Sequence, residues 1–159
     1  MGKGFGKYAL VYALCAFFVL FLDLVSKGLA QVHLQHKEIT LLPFLHLVLV
    51  YNKGIAFGLL SDVPSFIRIP ILLITPIVAL VITFIYAVRS REVFNAIIMG
   101  MVGGGALGNF YDRLFLGYVR DFIYLSYGEL SWPAFNIADA SISLALFIFI
   151  LRGIRAGKG

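Results

Sequence analysis

Apolar residues run unbroken from Ala9 to Leu22, and the run reaches spanning length if a helix carries it through Asp23 and Lys27 to about Ala30. This predicts a first membrane span at 9–30. A basic start at Lys3 and Lys7, a short apolar core and the small-x-small trio Gly28-Leu29-Ala30 also fit a cleaved signal peptide. The pair Asp23 and Lys27 favours a retained span, because residues four apart face each other on a helix and an internal ion pair lowers the cost of charge near lipid. From Gln31 to Phe66 the apolar pieces shorten. Within them ITLLPFLHLVLVYN reads as one or two strands ending at the turn-prone Asn52-Lys53-Gly54, so 31–66 is expected to form a small β element at the interface. A second span is expected at 67–88, interrupted by Pro70, Thr75, Pro76 and Thr83 and closed by Arg89 and Arg91. Prolines inside a membrane helix predict a kink rather than a break. The third span, 93–114, carries Gly100, Gly104 and Gly108 at the spacing that lets helices approach closely in lipid. The fourth, 134–151, is about 27 Å long and follows Ser131 and Pro133 as start signals.

Composition agrees with this pattern. Of 159 residues 61% are apolar and only 13% charged, and the mean hydropathy is +0.97, too few charges to coat a soluble globule. The fold class expected is an all-α membrane protein: a four-transmembrane-helix bundle, one domain over 1–159, with a small periplasmic interfacial β element. The net charge of +5 does not point to nucleic acid, since the basic residues are scattered at span ends. Lys3, Lys7, Arg89, Arg91, Arg152, Arg155 and Lys158 flank one side, which predicts that both termini are cytoplasmic. Arg68, Arg113 and Arg120 fall on the outer side and call for pairing or function. Cys15 is single and cannot form an internal disulfide. His33, His36 and His46 lack companion ligands at metal spacing and read as loop histidines, so no metal and no cofactor are expected.

The remaining chemistry lies in carboxylates. Asn109, Asp112 and Arg113 share one face at the outer end of the third helix, where they could cap, pair or grip a carbonyl. Asn136, Asp139 and Ser143 form a polar stripe on the fourth, with Asp139 expected about 9 Å beyond the helix start. A carboxylate there must be paired, protonated or wet, which makes it a functional candidate. Asp121 lies in VRDFIYL, a segment expected to follow the interface. Two aspartates brought together in a poorly solvated site share a proton, so that one activates water while the other protonates a departing group. Spacing alone leaves open whether they meet. Otherwise Asp121 is an interfacial acid and Asp139 a helix-pairing group.

The ordered blocks DLVSK (23–27), YNKGIAFGLL (51–60), GGALGNFYDRLFLGYVRDF (104–122) and FNIADASI (135–142) resemble bacterial lipoprotein signal peptidases, the signal peptidase II family. The resemblance implies an aspartic endopeptidase of the inner membrane, with its site toward the periplasm. Its substrate would be a diacylglyceryl-modified prolipoprotein drawn sideways from the membrane lipid and cut just before the lipidated cysteine. It implies Asp121 and Asp139 as the catalytic dyad, and Asn52, Gly54, Asn109, Arg113, Asn136 and Ala138 as residues lining the substrate site. Asn52 and Arg113 would bond substrate backbone, and Asp23, Lys27 and Asp112 would support the architecture. A periplasmic helix is expected to help the β element clamp the substrate, and the protein is expected to be a monomer. Arg120 departs from the family, which usually has an apolar residue there, and is expected to alter the field at Asp121. The alternative from another class is a small proton-coupled carrier or channel subunit, with Asp139 relaying protons. Such carriers often show repeated halves, and this sequence shows no internal repeat.

Overall fold

The computed structural model describes residues 5–54 and 63–156. In chain order the elements are α1 (Phe5–His33), β1 (Ile39–Leu42), β2 (Leu45–Asn52), α2 (Ser65–Ser90), α3 (Val93–Leu116), β3 (Val119–Tyr127), β4 (Leu130–Phe135) and α4 (Ile137–Ala156). All four helices are long and apolar enough to cross a membrane. Residues 55–62 of the expected interfacial element lie outside the described residues, as do Lys3 and Lys158 of the basic pattern.

The bundle is built around α3. Its spanning window is 67% buried, against 22% for α1 and α2 and 11% for α4, so three helices present most of their surface to lipid while α3 presents little. Small residues make this possible. A Cβ on Gly104 would run into the Ala16 carbonyl, and one on Gly100 would sit 2.8 Å from the Tyr12 carbonyl. The backbones of α1 and α3 therefore touch where the sequence spacing placed close approach. α2 continues through both Pro70 and Pro76. At the end of the bundle away from the sheet, Arg152 on α4 pairs with Glu92 at 2.5 Å and donates to Asn95 Oδ1 at 3.1 Å, fastening α4 to the start of α3.

At the other end the four strands form one antiparallel sheet in the order β1-β2-β3-β4. Here the structure corrects the sequence reading. Among the described residues of 31–66 two strands join the β element; the other two form a second hairpin, turned at Gly128 with φ +59°. The VRDFIYL segment is thus a central strand of this sheet. α3 runs two residues past 114 and stops at Gly117, whose φ of +79° and N–H to the Arg113 carbonyl close the helix. The fourth helix begins at Ile137 rather than 134, because Ser131, Pro133 and Ala134 are in β4. His46 is not in a loop either. It sits in β2 with its ring nitrogens 3.1 Å from Thr40 Oγ1 and 3.0 Å from Ser126 Oγ, while His33 closes α1. Among the described residues no helix stands outside the four long ones.

Candidate active site

Alternation along β3 sends Arg120 and Asp121 to opposite sides of the strand, and each meets a different partner. Arg120 forks onto Asp112: Nη2 to Oδ1 at 2.7 Å and Nε to Oδ2 at 3.2 Å, with its backbone N–H also donating to Oδ2 at 3.0 Å. Lys27 lies 2.6 Å from Asp23 and 3.6 Å from Asp112, and donates to Asn109 Oδ1 at 2.9 Å. Asp23 in turn accepts the Ala138 N–H at 2.9 Å. Asp23, Lys27 and Asp112 are 0% exposed. Two acids and two bases thus form one neutral buried network that ties α1, α3, β3 and the start of α4 together. Arg120 belongs to this network. Its guanidinium is thus engaged by Asp112 and clamps β3 to the end of α3.

Orientation passes from this network to the aspartates through two asparagine amides. Lys27 holds the oxygen of Asn109, leaving its Nδ2 to donate to Asp139 Oδ1 at 2.8 Å. The Asp139 N–H holds the oxygen of Asn136 at 3.0 Å, leaving its Nδ2 to donate to Asp121 Oδ1 at 2.7 Å and to Asn109 Oδ1 at 3.1 Å. Asp139 Oδ2 accepts the Asn136 N–H at 3.3 Å, so the two residues cap α4 reciprocally. Asp139 is therefore the third residue of α4, about 4.5 Å past Asn136 along the axis instead of 9 Å. One asparagine bonds both acids.

Asp121 is 2% exposed and takes a second amide donor, Asn52 Nδ2, on Oδ2 at 3.1 Å. Burial raises its carboxyl to about 6, the negative charge of Asp139 adds to the rise, and the Asn52 and Asn136 donors pull the other way. A carboxyl pair can serve as base and acid together only while it carries one proton, so the dyad that the resemblance implies predicts a kcat/KM that falls as pH rises through about 6. Asn52→Ala removes a donor that favours the carboxylate and should move that limb to higher pH. A pH profile of cleavage in wild type and variant checks both statements, and a limb that moves down would contradict them.

Asn52, Asn109, Arg113, Asp121 and Asp139 line a cavity of about 570 Å³ that continues between α2, α3 and α4. Arg113 donates from Nη2 to the Gly54 carbonyl at 3.1 Å, and its buried Nε has no partner among the described residues. The Gly54 N–H donates to Asn52 Oδ1 at 2.9 Å. Gly54, Asn136 and Ala138, expected on the lining, lie behind it: Asn136 and Ala138 are 0% exposed, and Gly54 braces Asn52 and Arg113. Asn109 and Arg113 face the cavity as the helical spacing implied, whereas Asp112 turns to the charge network. Sequence reasoning missed the link from Lys27 to Asn109, for which no local spacing is a signal. It also missed the apolar wall around Leu125 and Trp132, which depends on the second hairpin.

Comparison with known proteins agrees with this geometry. The family model described as signal peptidase (SPase) II matches residues 15–155. A lipoprotein signal peptidase of Aquifex aeolicus is 56% identical, over 92% of this chain and 87% of its own length. One from a Sulfurihydrogenibium species is 41% identical, over 91% of each. A solved structure titled only as a bacterial membrane enzyme superposes with a TM-score of 0.79 at 28% identity, covering 91% of this chain and 87% of that one. A match running through all four spans and both aspartates shows that the chain belongs to the signal peptidase II family of aspartic-type membrane peptidases.

Proposed function

We propose that Asp121 and Asp139 jointly activate one water to remove the signal peptide from diacylglyceryl-modified prolipoproteins, cutting just before the lipidated cysteine. The observation that carries this reading is the single asparagine, Asn136, bonded to both carboxyls on the wall of a cavity that continues between the spans. The ionised acid takes a proton from water as its oxygen attacks the scissile carbonyl. The protonated acid then gives its proton to the leaving amine as the C–N bond breaks, and the dyad returns to one shared proton. Arg113 supports the carbonyl oxygen through its free Nε, and Asn52 holds Asp121 in place while meeting substrate backbone. Gly54, Asn136, Ala138, Asp23, Lys27 and Asp112 keep these groups in register. No metal or cofactor enters this scheme.

The chain sits in the bacterial inner membrane with both termini cytoplasmic, as the basic residues at that end favour, and with the sheet and both acids toward the periplasm. It works as a monomer, since one chain supplies every polar group named. A proton carrier would need its acids near the membrane midplane. Asp139 instead lies in the first turn of α4 and Asp121 on a strand outside the spans.

The test is a purified-protein assay with a lipidated prolipoprotein peptide, the cut located by mass spectrometry, with and without chelator. Cleavage before the modified cysteine that survives EDTA is expected, and cleavage lost to EDTA would overturn the scheme. In the same assay Arg113→Ala should lower kcat/KM by about 10- to 100-fold, the worth of one charge-assisted hydrogen bond. Unchanged kinetics would remove Arg113 from the site.

A further inference from the structure

The catalytic scheme leaves unused two hydroxyls on the membrane-embedded wall of the cavity, Thr75 on α2 and Ser143 on α4. Ser143 lies one turn below Asp139 on the same face, about 6 Å deeper along the axis. Neither hydroxyl has a hydrogen-bond partner among the described residues, and both side chains are exposed. Three other helix hydroxyls of this bundle behave differently. Thr83 donates to the Ala79 carbonyl at 2.7 Å, Ser26 to the Asp23 carbonyl at 2.9 Å and Ser90 to the Ala87 carbonyl at 3.1 Å, each satisfying itself on its own helix. Beside Thr75, Pro76 also lines the cavity. Two unpaired hydroxyls thus accompany a wall that includes Ala79, Val102, Ala106 and Ile142. In lipid, such groups gain most from a ligand that bonds them.

We propose that Thr75 and Ser143 form a polar subsite that reads the membrane-embedded part of the signal peptide about one helical turn before the scissile bond. The occupant is a residue with a small hydroxyl side chain. A serine or threonine there bonds these groups, whereas a valine or leucine leaves them unpaired. The inference rests on the peptidase assignment and adds a specificity determinant to it. The subsite makes no bond to the reacting atoms, so it acts on substrate selection and not on the proton transfers.

The experiment uses lipidated prolipoprotein peptides in which each of the second to sixth residues before the cut is in turn serine or its near-isostere alanine. Wild-type protein should prefer serine by about fivefold in kcat/KM near the fourth position, the worth of one neutral hydrogen bond made on binding. Thr75→Val/Ser143→Ala should bring that ratio close to one, and Thr75→Ser/Ser143→Thr, which keeps both hydroxyls, should retain it. Because the readout is a ratio within one protein, a partly unfolded preparation does not disturb it. Wild-type cleavage of the alanine peptide confirms the peptidase separately. A wild-type ratio of one at every position, or a preference that survives loss of both hydroxyls, overturns the subsite.

Discussion

Asp121→Asn and Asp139→Asn should each lower kcat for prolipoprotein cleavage by about 10³-fold or more while leaving a folded, membrane-embedded protein. An asparagine amide can neither take a proton from water nor hand one to the leaving amine, so either change leaves half of a two-group device. Asn is close to Asp in size, and at 121 the Oδ1 position still accepts the Asn136 amide. Loss of activity is therefore expected without loss of the sheet. Single-turnover cleavage of a lipidated peptide, read beside the thermal midpoint of the same preparation, tests this. A variant that cuts at the wild-type rate would remove its aspartate from the chemistry.

Lys27→Met should act through stability as well as rate. Lys27 is fully buried between Asp23 and Asp112, and without it the two buried acids keep Arg120 as their one ion-paired counter-charge among the described residues. Removing one partner from such a cluster costs about 3–5 kcal/mol, since the surviving charge is left uncompensated in a poorly solvated place. Asp23→Asn/Lys27→Met restores neutrality and keeps an acceptor for the Ala138 N–H, so it should recover much of that stability. It should not recover kcat. Asn109 loses the ammonium that orients its amide, and Asp139 loses a donor held in one direction. Unfolding midpoints and cleavage rates of the single and double variants separate the two effects. Full activity in the double variant would show that Asn109 needs no such guide.

The four spans were legible because lipid demands about twenty apolar residues in a row, and little else in a sequence imitates that. Asp139 stood out for the related reason that a carboxylate is costly there, whereas Asp121 was singled out by the family resemblance of its block. The second hairpin was hidden by its composition. Val119–Tyr127 is apolar enough on both faces to resemble an interfacial stretch, and its pairing to β2 joins positions far apart in the chain. The start of α4 was misplaced because Ala134 and Phe135 continue the apolar run. The cap that fixes it, Asn136 with Asp139 three residues on, was taken only as a functional stripe. The amide orientations could not be inferred at all, since each depends on a donor from a different element.

The sheet is assembled from strands far apart in the chain, and this sets a timetable for biogenesis. Asn52 leaves the ribosome 69 residues ahead of the acid it will hold, and Asp139 emerges later still, at the head of the final helix. Until that helix threads into the bilayer, neither carboxyl has its full set of neighbours. On the proposed mechanism a chain that lacks α4 is therefore expected to be inert, with activity arriving once α4 has inserted.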